Sequence, residues 1–491
     1  MEKMSIKFRP KICLVAVALL LVIGDLAYSF YQHYKYPMDG DMEESVLPRD
    51  YLLPLYQDPF GVKMLVNGEP HAAPNRFFSH YLLYKTYRTV PFGLQKVFKP
   101  LTSIYLTNAI CKTFMQMALL LLLCTLVCGG FRIKEPRFYL AMLLFTPLFQ
   151  TNGATRSFGL IDPSLTYSFF YALPLIFLIC CLLPFIYEEF FHRKFLSNPI
   201  LRTVWFVLFL MLTCFSGAVN VAIALLVIFT LALRYIISYC FDKTLKEKSL
   251  GLFFKSVPKH YWLYLLPLGL LSLYSFWLGT YNTIWNGEVL TLAERYRMLP
   301  KGFIEMFKVR PFVIFVALSV LNFAIIALKF PKKGNATIRI FLWMNIFALF
   351  YIILLPLGGY RSYRPVIIRY DVMIAVSFLY IFYLVYSTLF LIENFTQNKV
   401  KIPYLIGCLA FMFYFSAIDK PLPWGWGNEK EIAAIWEIQA ATETPVVLTE
   451  EATVVSWVPA YSVEESRNAS EMLFIWHITD KVKPFYCLKN E

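Results

Sequence analysis

The sequence contains no CxxC pair and no Cys or His spacing typical of a zinc site. Its ten cysteines therefore indicate neither a disulfide scaffold nor a structural metal. Most of them lie in or beside apolar runs, where cysteine packs as a small hydrophobic residue. These are Cys13, Cys124, Cys128, Cys180, Cys181, Cys214, Cys240 and Cys408.

Signals of repetition and of processing are also missing. No repeat of fixed period is visible, and we find no inverted pair of broken helices of the kind that many transporters contain. The first apolar run, Ile12 to Phe30, has no small-residue cleavage site before a polar loop. We therefore interpret it as a retained helix and not as a cleaved signal peptide.

Long apolar runs dominate the chain. Of its 491 residues 58% are hydrophobic, against roughly 45–50% in a soluble domain. About eleven runs approach the length of about 20 residues that a helix needs to cross a bilayer. We predict an all-α polytopic membrane protein with spans at 12–30, 105–129, 137–150, 166–187, 200–216, 218–234, 261–279, 311–328, 340–357, 373–392 and 403–418.

Residues 200–234 have two interpretations. They form either a hairpin that turns at Ser216-Gly217 or one long tilted helix, and the second choice would invert everything downstream. We prefer the hairpin because it keeps the lysines between Lys243 and Lys259 on the cytoplasmic side with the other basic loops.

Lys and Arg concentrate in every second loop, and cytoplasmic loops are enriched in these residues. The N-terminus is therefore predicted inside and the C-terminus outside. Membrane orientation also accounts for the net charge of +14, so we predict no nucleic-acid partner. The basic segments are Lys3 to Lys11, Arg132/Lys134/Arg137, Arg193/Lys194, Lys243 to Lys259, Lys329/Lys332/Lys333 and Lys399/Lys401.

Three sizeable segments are predicted outside, namely 31–104, 280–310 and 419–491, with smaller loops at 151–165 and 358–372. In the first segment, Phe77, Tyr81 and Tyr84 recur at helical spacing, which is typical of helices that lie on a membrane surface. In the last, Thr444 to Leu448 and Thr453 to Val458 read as strands. We thus divide the chain into a transmembrane domain, 1–418, and a small outer α/β segment, 419–491.

The strongest candidate site is Asp39-Gly40-Asp41, which is followed by Glu43 and Glu44. Four carboxylates in six positions repel one another. The repulsion is relieved if Asp39, Asp41 and Glu44 bind a divalent cation such as Mg²⁺ or Mn²⁺, or if Asp39 or Asp41 holds a proton as a general base. The alternative is a solvated acidic turn.

A second candidate is the late outer loop with Arg361, Arg364 and Arg369. Three arginines on an outer loop oppose the usual charge bias, and guanidinium groups bind phosphate through paired hydrogen bonds. A lipid phosphate arriving from the bilayer would meet them at this depth. The alternative is that they anchor the loop at the interface between tyrosines.

Three further residues are candidates for substrate binding: Arg156, Asp162 and His80. For Asp162 the competing interpretation is a helix N-cap with Pro163 at the first helical position. His80, in the first outer segment, could bind metal or carry a proton, although lone histidines more often do neither.

This arrangement resembles the GT-C class of integral-membrane glycosyltransferases, which have many spans and an acidic motif in a large first outer loop. The motif matches are Asp39 and Asp41, with Arg361, Arg364 and Arg369 in the late basic loop. The resemblance implies sugar transfer from a polyprenyl-phosphate donor on the outer side of a bacterial cytoplasmic (inner) membrane. The acceptor would be a lipid-linked glycan, lipid A, a polymer or a protein.

Two other functions remain open. Transporters or flippases of lipid-linked sugars place polar groups in mid-membrane, whereas here polar chemistry gathers at one face. A polysaccharide polymerase or ligase also has many spans, but we would then expect the dominant outer loop late in the chain.

Overall fold

The computed structural model describes residues 10–149, 159–242, 248–284, 290–358, 366–423 and 426–489. It begins with a long apolar helix, α1 (Pro10–Tyr34), and continues into an outer segment of short helices. These are α2 (Asp41–Val46), α3 (Leu53–Gln57), α4 (Val62–Asn67), α5 (Phe77–Tyr87) and α6 (Val90–Leu94). The predicted helix around Phe77, Tyr81 and Tyr84 is confirmed as α5.

A helical bundle makes up the middle of the chain. Its helices are α7 (Pro100–Val127), α8 (Pro136–Phe145), α9 (Leu165–Tyr167), α10 (Leu173–Glu189), α11 (Pro199–Cys214), α12 (Ala218–Cys240), α13 (Leu250–Ser256), α14 (Leu266–Gly279), α15 (Leu292–Arg297), α16 (Leu299–Phe307), α17 (Arg310–Lys329), α18 (Asn335–Leu354), α19 (Ile374–Asn394) and α20 (Asn398–Ile418). A π-helical turn, Ser168–Ala172, joins α9 to α10, and another, Tyr261–Leu265, leads into α14.

Within the described ranges, nine helical stretches are long and apolar enough to cross a membrane. Of the other predicted spans, α11 is apolar but shorter, and α8 has ten residues followed by a 3₁₀ turn, Thr146–Leu148. Helices α10 and α19 are mostly enclosed by the protein, whereas α1 and α20 expose most of their apolar surface. Such outward apolar surface is what lipid contact requires. The chain is a multi-pass membrane protein, and its described residues are mostly helical.

The hairpin at residues 200–234 is confirmed, since α11 and α12 are separate helices. Asn198 caps the start of α11 by accepting hydrogen bonds from the first-turn amides. Gly217 has a φ of +129°, a conformation that a side chain would strain. The turn packs on the first outer segment, because the Phe78 amide donates to the Phe215 carbonyl at 3.0 Å.

The bundle has two chemically distinct ends. We call the end where α1 finishes and α7 begins the Asp39 end. The opposite end, the far end, gathers the predicted basic loops. There Arg137 forms an ion pair with Glu393 at 3.2 Å, and Arg193 donates to the Gly129 carbonyl. Loops predicted to share one membrane face therefore do share one end of the molecule.

The C-terminal segment folds against the Asp39 end. It contains α21 (Glu429–Ala440), β1 (Val446–Leu448), α22 (Arg467–Ile475) and β2 (Phe485–Cys487). The strands pair in parallel, with Val446 opposite Phe485. The strand expected at Thr453 to Val458 is wrong, since Val455 has a φ of +49° and its amide donates to the Glu431 carboxylate.

Candidate functional site

Asp39 is buried at the point where the chain leaves α1 and is held by three hydrogen bonds. Its Oδ1 accepts from the Thr166 hydroxyl at 2.7 Å. Its Oδ2 accepts from the Ser164 hydroxyl at 2.9 Å and from the Thr166 amide at 3.1 Å. These donors come from the start of α9, so the acidic motif and the loop before α10 are joined at Asp39.

Asp162 and Lys112 lie on the other side of the same loop. The Ser164 amide donates to Oδ1 of Asp162 at 2.8 Å, and the Lys112 ammonium donates to the Pro163 carbonyl at 2.5 Å. Lys112 is almost fully buried in α7 and lies over the Tyr36 ring, 5.1 Å from its centroid. Its positive charge attracts both Asp39 and Asp162. A buried cation thus lies among two buried carboxyl groups, which lowers the cost of burying them.

The segment before α19 completes the assembly. The Tyr370 phenol faces the Asp162 carboxyl group, and the neighbouring Asp371 repels Asp162. Asp371 is buried and accepts from the Arg369 guanidinium at 2.6 Å. We call the whole set the Asp39 cluster. It consists of Asp39, Lys112, Asp162, Ser164, Thr166, Arg369, Tyr370 and Asp371.

Burial and hydrogen bonding act in opposite directions on the acids of the cluster. Burial raises the pKa of Asp39, while the Thr166 and Ser164 donors lower it. Burial likewise raises the pKa of Asp162, opposed by the Ser164 amide, the Tyr370 phenol and Lys112. Burial raises the pKa of the Tyr370 phenol, and Asp162 adds to that effect. The pKa values of these buried groups therefore depend more on neighbouring side chains than the pKa of an exposed carboxylate does.

The other three acidic residues of the motif do not share the contacts of Asp39. Asp41 is half-buried at the first position of α2 and makes no hydrogen bond or ion pair with a described residue. Glu44 interacts with the Tyr51 phenol. Glu43 pairs with Arg49 at 2.7 Å and accepts from Asn468.

The predicted cation ligands were Asp39, Asp41 and Glu44. Asp39 already accepts three hydrogen bonds, and Glu44 is directed to Tyr51. In the part of the chain that the structure describes, no group of three or more His, Cys, Asp or Glu side chains is placed to hold a metal ion. The predicted Mg²⁺ or Mn²⁺ therefore stays a prediction, and we derive no step through it.

The C-terminal segment closes over the acidic motif. A side chain at Gly40 would lie 2.7 Å from the Trp457 ring and 2.8 Å from its amide nitrogen, so only glycine permits this approach. Trp457 also contacts the Tyr167 ring. The acidic motif, α9 and the C-terminal segment thus meet at Trp457.

His80 lies in α5, apart from these contacts. Its Nδ1 is 3.3 Å from the Ser45 hydroxyl, and its ring packs on Phe170. Burial, together with the nearby positive charge of Arg76, lowers the pKa of His80 to about 3. His80 is therefore neutral near pH 7, and its described contacts are those of a packing residue.

The structure brings together three of the predicted site residues, Asp39, Asp162 and Arg369. Arg156, Arg361 and Arg364 lie outside the described residues. The N-cap expected at Asp162 is wrong, because α9 begins two residues later and Ser164 caps it by accepting from the Tyr167 amide. Asp162 instead binds the Ser164 amide, which fixes the turn before the helix.

Sequence reasoning missed Lys112, Ser164 and Thr166. Lys112 had a usable signal, because a lysine in an otherwise apolar span indicates a functional or paired charge. Ser164 and Thr166 had none, since hydroxyl residues at a helix start are common caps. Their role depends on Asp39, which is distant in sequence.

Comparison with protein-family models, with curated proteins and with solved structures finds no match to this chain.

Proposed function

We propose that the protein is a glycosyltransferase of the GT-C kind, which moves a sugar from a polyprenyl-phosphate donor to an acceptor hydroxyl at the Asp39 end. The observation that carries the proposal is the Asp39 cluster. Segments distant in sequence, from α1, α7, α9 and the loop before α19, place acids, a lysine and an arginine at one end of a membrane-embedded bundle. Such a site can handle a substrate that has a lipid part and a charged part.

The position of the cluster favours an interfacial enzyme over a transporter. Gln116, one turn beyond Lys112 on α7, donates to the Ser29 hydroxyl near the end of α1. Lys112 therefore lies at the level where α1 ends and not at the middle of the bundle. Transport of a lipid-linked sugar would require polar groups along the crossing.

Asp41 is the better candidate for the general base. It is half-buried and has no described hydrogen-bond partner, whereas Asp39 accepts three hydrogen bonds. In the proposed reaction the acceptor oxygen bonds to the anomeric carbon, the bond from that carbon to the phosphate oxygen breaks, and the acceptor proton passes to Asp41. Asp39 acts as a positioning residue that fixes the loop carrying Asp41.

The departing polyprenyl phosphate gains negative charge, which a nearby cation stabilises. Arg369 is the described candidate for this role, although it already pairs with Asp371. A guanidinium group has further donors beyond those that one carboxylate occupies. Arg361 and Arg364 belong to the same proposal as neighbours of Arg369 in sequence.

The basic loops lie at the far end, so the Asp39 end is proposed to face outward. Nucleotide sugars are not available outside the cytoplasmic membrane, so the proposed donor is lipid-linked. The proposed location is a bacterial inner membrane, with a glycan, lipid, polymer or protein of the cell envelope as the proposed acceptor.

The test uses the full-length protein in liposomes with a panel of polyprenyl-phosphate hexoses and pentoses. Lipids and glycans extracted from a bacterial envelope serve as acceptors, and release of polyprenyl phosphate is measured by mass spectrometry. We expect Asp41→Asn to lower the rate by about 10²–10⁴. The matched control is Asp50→Asn, an exposed position in the same outer segment, which should keep full activity.

Two results would contradict the proposal. The first is the absence of release by the wild-type protein with every donor of the panel. The second is equal activity of the Asp41→Asn and wild-type proteins, which would leave the acidic motif as a turn.

A further inference from the structure

The far end of the bundle contains a cavity that the proposed reaction does not use. Its volume is about 780 Å³, and residues of α7, α8, α10, α12, α18 and α19 line it. Apolar and aromatic side chains form most of its wall, among them Trp343, Phe347 and Phe382. A volume of this size is within the range of about 300–1,000 Å³ that ligand sites occupy.

Three arginines line the cavity, Arg137, Arg234 and Arg339. Two of them have acidic partners, since Arg137 pairs with Glu393 at 3.2 Å and Arg234 pairs with Glu189 at 3.1 Å. The Glu189 carboxylate is also shared with His260 and Tyr261. The three arginines therefore outnumber the two glutamates that pair with them, and positive charge exceeds negative charge among these five side chains.

Arg339 is the arginine without an acid. No described carboxylate lies within ion-pair distance of it, and it is exposed on the first turns of α18. Two further donor groups lie nearby. The Nε of Arg137 is buried without a hydrogen-bond partner among the described residues. The amide end of α18 has no side-chain cap, and Asn335 and Ala336 of this end line the cavity.

These features select an anion that carries a long apolar part. Uncapped amides and arginines at a helix start attract phosphate. The wall beyond them is mostly apolar, which suits a hydrocarbon chain. Arg339 lies about one helical turn from the start of α18, or about 6 Å, which is the depth of a lipid headgroup when α18 spans the membrane.

We propose that this cavity binds one anionic phospholipid of the membrane leaflet at the far end, with its phosphate at Arg339 and the start of α18. Basic pockets between transmembrane helices are known to hold anionic headgroups. The site is separate from the Asp39 cluster and does not depend on the glycosyltransferase proposal.

The experiment uses full-length protein in nanodiscs of phosphatidylcholine with increasing fractions of phosphatidylglycerol. Binding is followed by the rise in thermal unfolding temperature and by lipid retained through detergent washing, measured by native mass spectrometry. We expect wild-type protein to retain phosphatidylglycerol, and Arg339→Gln to weaken its apparent affinity at least about tenfold, the low end for one hydrogen bond to a charged group. Arg339→Lys should lose less, because the charge remains.

Lys332→Gln is the matched control. It removes the same charge from the exposed loop at the same end, but Lys332 does not line the cavity. This variant should bind phosphatidylglycerol as the wild type does, and all variants should show wild-type helical content by circular dichroism.

Three outcomes would overturn the proposal. One is a wild-type protein that retains phosphatidylglycerol no better than phosphatidylcholine. Another is an equal loss in the Arg339→Gln and Lys332→Gln variants, which would mean general surface attraction. The third, measured with polyprenyl phosphate added to the same nanodiscs, is its selective retention over phosphatidylglycerol, which would assign the cavity to an isoprenoid carrier.

Discussion

At the residue scale, hydrogen bonding separates Asp39 from Asp41. In Asp39→Asn the amide nitrogen replaces an oxygen that accepts from Thr166 or Ser164. We expect a loss of stability of about 1–3 kcal/mol, the usual effect of a buried group left poorly paired. Asp41→Asn, at a half-exposed position without described hydrogen bonds, should change stability by less than about 0.5 kcal/mol. Thermal unfolding in detergent measures both, and equal shifts would contradict the assignment of different roles.

The buried charge of Lys112 offers a second prediction at this scale. Lys112→Met leaves Asp162 near another carboxyl group with no compensating cation, so the variant should be clearly destabilised. Adding Asp162→Asn should recover part of the loss, with a coupling energy of about 0.5–3 kcal/mol. The measurement is a double-mutant cycle of unfolding free energies. Additive effects would mean that the two residues do not interact.

Individual site residues were predictable to different degrees. Asp39 was predictable because acidic residues clustered beside an apolar span need a reason to be there. Arg369 was predicted for phosphate, but its ion pair with Asp371 depends on a backbone turn that no sequence pattern encodes. Ser164 and Thr166 act only through the folded proximity of α9 to the end of α1.

At the element scale, a buried acid of α21 connects this helix to the bundle. Glu431 accepts from the Met38 amide at 2.9 Å and the Tyr105 phenol at 2.7 Å, and also from the Val455 amide. Burial nevertheless raises its pKa to about 7, above the ordinary value of 4.5. The folded protein therefore binds this proton more tightly than the unfolded chain does. Stability from this residue is complete below about pH 4.5 and is lost as pH rises through 7.

Replacement of Glu431 by Gln should remove this contribution to the pH dependence. Between pH 5 and pH 8 the wild type should lose on the order of 2–3 kcal/mol more stability than the variant. Glu443→Gln, at an exposed position in the same segment, should keep the wild-type slope. Unfolding temperatures across this pH range provide the test. Parallel curves for Glu431→Gln and the wild type would show that Glu431 does not titrate there.

Some elements could be predicted from apolar runs and from the turn residues that interrupt them. The α11–α12 hairpin was predictable because Ser216-Gly217 interrupts an apolar run, and Gly217 indeed has positive φ. The second strand of the C-terminal segment was not predictable from local pattern. Thr453 to Val458 has the residues of a strand, but its Val455 amide is bound to Glu431, and Phe485–Cys487 pairs with β1 instead.

At the scale of the whole molecule, contacts between the end of α1 and the start of the C-terminal segment determine whether the number of membrane crossings between them is odd or even. The Asn428 amide donates to the Lys35 carbonyl at 2.8 Å, and Lys35 pairs with Glu429 at 3.5 Å. The Tyr28 phenol donates to the Asp419 carbonyl at 3.0 Å. The end of α1 and the start of the C-terminal segment therefore lie on the same side, which requires an even number of crossings between them.

This parity leads to a prediction about the cell. Reporter fusions after residue 40 and at the C-terminus should give the same result, both active as secreted alkaline phosphatase and neither fluorescent as a cytoplasmic reporter. Fusions in the far-end loops, after residues 194 and 333, should behave in the opposite way, because these loops carry the lysines and arginines that stay in the cytoplasm. Opposite results at residue 40 and at the C-terminus would contradict the contacts between Lys35 and Asn428. Cytoplasmic behaviour at both positions would be consistent with the same fold in the opposite membrane orientation. The Asp39 cluster would then face the cytoplasm, where nucleotide sugars are available. The argument for a lipid-linked donor would no longer hold.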